Sequence, residues 1–178
     1  MERNGEILVK RNHSIVYVEI GFLDKLEMTK QNNDMIKFES IDIEIPQLNQ
    51  RLAKEWIEEF VASYGKKIGE LYYLFCSDEY LLEFNQKRMN HDFYTDIVTF
   101  PLNDCEEYLS GEFYISIDRI KDNAEQMKKP FKDEFHRVLA HGVLHLIGFK
   151  DKTDEDAKVM RAQEEKCLDL LKMFHVEQ

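Results

Sequence analysis

The chain has 178 residues, 43% of them hydrophobic and 12% aromatic, with a formal charge of -11 at neutral pH. This length and composition fit one folded domain with a sizeable core and exclude a wholly disordered chain. The charge excludes a diffusely basic nucleic-acid binder, so any RNA site here has to concentrate its positive groups.

Residues 1–34 contain two β-branched runs, 7–9 and 15–22, followed by a polar stretch from Lys25 to Asp34. They are expected to form an extension that is poorly ordered or packed at the periphery, with His13 a surface side chain. Glu19 interrupts the one apolar run near the start, and no run approaches the roughly 20 residues of a membrane span. Alternation over 36–43 predicts a strand. Pro46 is expected to open a helix whose residues Leu48, Leu52, Trp56, Phe60 and Tyr64 recur every four positions. A basic turn bounded by Gly65 and Gly69 leads to Leu71-Tyr72-Tyr73-Leu74-Phe75-Cys76, which has the composition of a strand buried on both faces.

Ser77 is placed to cap a helix running to about Arg88, broken by Asn90-His91-Asp92. His91 is read as an exposed loop residue. A strand over 96–101 stops at its proline, with Thr95 and Asp96 capping its entry or helping to orient ligands. After an acidic loop over 103–110, the segment 111–117 predicts a strand. Asp118 is expected to cap a helix ended by Pro130. A last helix begins at the capping box Thr153-Asp154-Glu155-Asp156 and turns Met160, Cys167, Leu168 and Leu171 inward. Two clusters could supply positive charge, Arg51, Lys54, Lys66 and Lys67, and Lys121, Lys128, Lys129 and Lys132; each is first of all a solvated face. The cysteines Cys76, Cys105 and Cys167 have no metal or disulfide spacing, which points to reduced thiols and a cytoplasmic protein.

The stretch that carries chemistry is His141-Gly142-Val143-Leu144-His145-Leu146-Ile147-Gly148-Phe149-Lys150-Asp151. Apolar periodicity predicts a buried helix over 131–147, on which His141 and His145 stand one turn apart on one face. Gly148 ends that helix, and Asp151 has the reach to return as a third ligand. Two imidazoles and one carboxylate suit Zn2+, and three protein ligands leave a position for the water that a catalytic site activates. The same spacing occurs on the metalloprotease helix, but there a glutamate follows the first histidine to serve as general base, and here Gly142 stands in its place.

H-G-x-L-H-L-x-G is the signature of the YbeY family of metal-dependent endoribonucleases, and this sequence closely resembles that family. Asn85 to Phe100 (NQKRMNHDFYTDIVTF) resembles its second motif, and Gly111 to Ser116 (GEFYIS) its G-D-I-x-I-S strand. The resemblance covers the chain from about Met35. Asp151 stands where the family usually has its third histidine, Met89 where it commonly has an arginine, and Glu112 where aspartate is usual; Arg88 is the neighbouring candidate for a phosphate clamp. The expected architecture is a single α+β domain over residues 35–178, with a mixed sheet of about four strands packed with helices and the metal site on a central helix. The resemblance implies a zinc-dependent, single-strand-specific endoribonuclease acting in rRNA maturation at the 3' end of the small-subunit RNA and in ribosome quality control. One Zn2+ would be held by His141, His145 and Asp151. RNA and small-subunit components are the expected partners, with no DNA and no membrane. No general acid or base is assigned. A peptidase-like hydrolase and a non-catalytic ribosome-associated module are the other readings.

Overall fold

A computed structural model describes residues 6–11, 14–19, 35–89 and 93–176. The chain divides at Asp34 and Met35 into two units. In the first, strands β1 (Glu6–Arg11) and β2 (Ser14–Glu19) pair antiparallel, so the run 7–9 and residues 15–19 of the second run fall in strands.

The second unit is α+β. Its elements are β3 (Ile36–Ser40), α1 (Gln50–Ser63), β4 (Lys67–Cys76), α2 (Asp78–Met89), β5 (Ile97–Pro101), β6 (Tyr108–Ser116), α3 (Ile117–Met127), α4 (Phe131–Ile147) and α5 (Asp154–Val176). The mixed four-stranded sheet has the order β3-β4-β6-β5, in which β3, β4 and β6 run parallel and β5 pairs antiparallel with β6 at the edge. Side chains alternate across a sheet, so Phe113 and Tyr114 face opposite ways. Phe113 meets α4 at Gly142, while Tyr114 stacks on Phe84 of α2 at 4.3 Å. The main core lies between the sheet and α1, α4 and α5. Trp56, Phe60, Tyr73, Phe113, Leu139 and Val143 are buried there, and Trp56 Nε1 donates to the Cys167 carbonyl at 2.7 Å.

Several boundaries differ from the sequence reading. Helix α1 starts at Gln50, four residues after Pro46, because Asn49 Oδ1 accepts from Leu52 N at 3.2 Å and sets the first turn. Strand β4 begins at Lys67, inside the expected turn. Its register shifts between Ile68 and Leu71, where a Cβ on Gly69 would sit 2.2 Å from Ser110 Oγ. Strand β6 likewise begins at Tyr108, within the expected loop, because it pairs with this extended β4. Helix α3 is capped by Ser116 rather than Asp118, with Ser116 Oγ accepting from Arg119 N at 3.0 Å. Ser77 and Thr153 cap α2 and α5 through Tyr80 N and Asp156 N, as their positions indicate. Leu168 is only half-buried, whereas Met160, Cys167 and Leu171 are buried.

Candidate metal centre

Helix α4 carries the site because its opposite faces do different things. Gly142 lies against the sheet, where a Cβ would come within 2.6 Å of Phe113 Cδ1 and 2.7 Å of Ile97 Cδ1. A side chain there would have to displace the Phe113 ring and Ile97, so packing disfavours a metalloprotease-type glutamate after His141. His141 and His145, four residues apart, project together from another face. Their Nε2 atoms are 3.0 Å apart and the rings stand nearly perpendicular, at 86°.

Gly148 then turns the chain with φ of +116°, a conformation that a residue with a Cβ adopts only under strain. Its N–H is shared between the carbonyls of Leu144 and His145, both at 3.1 Å, and Phe149 N bonds Leu144 O at 3.0 Å. This tight turn brings Asp151 back over the histidines. Its Oδ2 lies 3.6 Å from His141 Nε2 and 3.4 Å from His145 Nε2. The three residues form a group that can hold a metal ion.

The hydrogen bonds behind the rings test whether the donors suit one. His145 Nδ1 faces the Phe149 carbonyl at 3.1 Å, and His141 Nδ1 faces Glu164 Oε1 at 2.6 Å. A carbonyl and an ionised carboxylate only accept, so both Nδ1 atoms carry the proton and both Nε2 atoms present lone pairs. Two lone pairs at 3.0 Å repel, and a shared cation removes that repulsion. An ion bound at about 2.0–2.2 Å sets neighbouring ligand atoms about 3.0–3.5 Å apart. The three separations fall on or close to that range, so the donors fit an ion without rearrangement.

Glu164, on α5, is 4% exposed. Burial pushes its carboxyl up, but the His141 hydrogen bond and the Arg137 charge outweigh burial and hold it below the usual carboxylate range. The sequence reading did not single out Glu164 or Arg137. The available signal was an acid in the otherwise apolar series Met160, Glu164, Cys167, Leu171 of α5. A second was Arg137 four residues before His141, on the stripe of the two histidines.

The other candidates are placed apart from His141, His145 and Asp151. Asp96 Oδ2 receives Arg137 Nη2 at 3.2 Å and Asn123 Nδ2 at 3.4 Å, while Thr95 Oγ1 donates to the Ile97 carbonyl at 3.2 Å and so secures the entry to β5. Arg51, Lys67 and Lys121 form exposed ion pairs with Glu55, Glu107 and Asp118. His13, His91 and the Arg88 side chain lie outside the described residues. No described helix is long and apolar enough to cross a membrane.

Comparison with known proteins is decisive. The profile of the family described as Endoribonuclease YbeY matches residues 35–172. The chain belongs to the Endoribonuclease YbeY family. The Endoribonuclease YbeY of Porphyromonas gingivalis is 44% identical over 138 residues, 77% of this chain and 90% of the relative. That of Phocaeicola vulgatus is 41% identical over 78% of this chain and 100% of its own, and that of Cytophaga hutchinsonii 48% over 71% and 89%. Among solved structures, the solution structure of TM1509 from Thermotoga maritima aligns with a TM-score of 0.56 and 27% identity, over 77% of this chain and 89% of that one. Membership in the YbeY family and the fold agree with the resemblance read from the three sequence motifs.

Proposed function

We propose that this chain is a zinc-dependent, single-strand-specific endoribonuclease that matures the 3' end of small-subunit rRNA and acts in ribosome quality control in the cytoplasm. Residues 35–178 are the catalytic domain. Membership in the YbeY family supports the RNA-cleaving activity. The observation that carries the metal site is the triangle of His141 Nε2, His145 Nε2 and Asp151 Oδ2, with edges of 3.0, 3.4 and 3.6 Å.

Two imidazole nitrogens and one carboxylate favour Zn2+ over Mg2+ or Ca2+, which prefer oxygen donors. Bound there, zinc supplies Lewis acidity at the scissile phosphate and a nucleophile from water near neutral pH. The protein's own part is to fix the donors. Glu164 and the Phe149 carbonyl hold the protons on Nδ1, and the Gly148 turn sets Asp151 opposite the two rings.

Elemental analysis of the purified chain, followed by cleavage of single-stranded and duplex small-subunit RNA with and without chelator, tests this. One zinc per chain and chelator-sensitive cutting of the single strand are expected. His145→Ala should stay folded and lose cleavage. A preparation that hydrolyses a peptide panel but leaves RNA intact would sink the proposal. Melting of His145→Ala with no separable loss of cleavage would instead assign the ion a bracing role.

A further inference from the structure

Arg137 is 15% exposed and uses all three guanidinium nitrogens on carboxylates from three parts of the chain. Its Nε and Nη2 grip Glu134 of α4 at 2.9 and 2.6 Å, its Nη1 meets Glu164 of α5 at 2.9 Å, and its Nη2 reaches Asp96 before β5 at 3.2 Å. The oxygen of Glu164 that receives Nη1 is Oε1, the same atom that accepts from His141 Nδ1 at 2.6 Å. One oxygen therefore joins the guanidinium to the imidazole.

We propose that Arg137 is a positioning residue: by fixing Glu164 Oε1 against His141 Nδ1, it determines how tightly the centre holds its ion. The inference rests on His141 being a ligand, as proposed above. A metal-bound imidazole depends on the acceptor behind it for ring orientation and basicity, and weakening such a partner typically costs about 10–100-fold in metal affinity. Arg137 is itself locked. The fork on Glu134 fixes the guanidinium plane, and the bond from Nη2 to Asp96 anchors it at a third point. Lysine at this position keeps one positive charge but has a single nitrogen and no planar fork, so it cannot reproduce the four bonds that Arg137 makes from three nitrogens.

The test is a thermodynamic cycle on the full chain, reading Zn2+ affinity by competition with a chromophoric chelator and stability by thermal melting. Arg137→Lys is expected to weaken Zn2+ binding about 10-fold. Glu164→Leu, which removes the shared acceptor, should weaken it at least as much. Because Arg137 acts through Glu164, Arg137→Lys in the Glu164→Leu background should change affinity by less than about twofold. Should Arg137→Lys fail to fold, Glu134→Gln takes its place. It loosens the guanidinium without touching a ligand or its acceptor, and it should give a severalfold loss that likewise disappears without Glu164. A purely structural role predicts a lower melting temperature with unchanged Zn2+ affinity, and that result overturns the inference. So does a loss that multiplies fully with that of Glu164→Leu. A wild-type chain that binds no Zn2+ overturns the ligand reading and this inference with it, whereas tight wild-type binding with unaltered Arg137→Lys overturns this inference alone.

Discussion

At Gly142, helix α4 has no room for even one methyl group. An added Cβ would press on the Phe113 ring, and that ring cannot yield because Tyr73 stacks on it with a centroid separation of 4.5 Å. Alanine improves helix propensity by about 1 kcal/mol, while overpacking a tight core costs about 1–3 kcal/mol. Overpacking wins here, so Gly142→Ala should lower unfolding stability by up to about 2 kcal/mol in a denaturant titration. An equal or higher midpoint would show that α4 can lift off the sheet without penalty. Asp151 makes the opposite case, since its side chain is 41% exposed and little packs on it. Asp151→Ala should keep the fold and lose a donor, weakening metal binding by more than 100-fold, beyond the effect of an outer partner. Asp151→His restores the family's usual third ligand and should bind the ion and cleave RNA within about 10-fold of the parent. An inactive, metal-free Asp151→His would mean that the turn after Gly148 is shaped for a short carboxylate alone.

Helix α4 and the turn that ends it act as one element, and this explains how much of the site was legible. His141 and His145 were readable because four residues make one helical turn whatever surrounds the helix. Gly148 was readable because the chain must reverse locally for Asp151 to return. Glu164 and Arg137 were not, because their roles arise only when α5 packs beside α4 and brings residue 164 behind residue 141. The same limit applies to the sheet. The apolar run from Leu71 marked a buried strand, but its start at Lys67 depends on pairing with β6 and on the shift at Gly69. Ser116 displaced Asp118 as a cap because β6 runs straight into α3, which leaves its last residue as the N-cap. The turn offers an element-scale prediction. Alanine at Gly148 would have to hold φ near +116°, at a cost of about 1–2 kcal/mol or more. The chain is expected to relieve that strain by unwinding the turn, so Gly148→Ala should lose metal affinity at least tenfold in addition to its loss of stability. Unchanged affinity would show that Asp151 is positioned by residues after the turn.

At the scale of the whole molecule, folding also buries groups with protons to lose, Cys167 in the core beneath α4 and Cys76 on the opposite face of the sheet. Burial pushes the Cys76 thiol up to about 12, with the carboxylates of Asp42 and Asp78 adding to the effect. It pushes Cys167 up to about 11, only partly offset by the hydrogen bond from Tyr64. Burial likewise raises the Tyr64 hydroxyl to about 12, with Cys167 contributing. In the unfolded chain the thiols lose their protons near their ordinary value of 9 and the tyrosine near 10. Between those values and 11–12 the folded state therefore binds more protons than the unfolded one, and stability must fall as pH rises. Each retained proton contributes a slope of about 1.4 kcal/mol per pH unit, so two thiols together should lower unfolding stability by about 2–3 kcal/mol per unit above pH 9. Well below pH 9, where both states keep these protons, the groups contribute no slope. Denaturant midpoints measured from pH 8 to 11 check this, and a flat profile above pH 9 would refute it. Thiol labelling gives an independent reading. At pH 8 the exposed Cys105 should react at once with a thiol reagent, while Cys76 and Cys167 react only as fast as the domain opens. Rapid labelling of Cys167 in the native protein would mean that the interface of α1 and α5, closed by the bond from Trp56 to the Cys167 carbonyl, is not the stable core on which α4 rests.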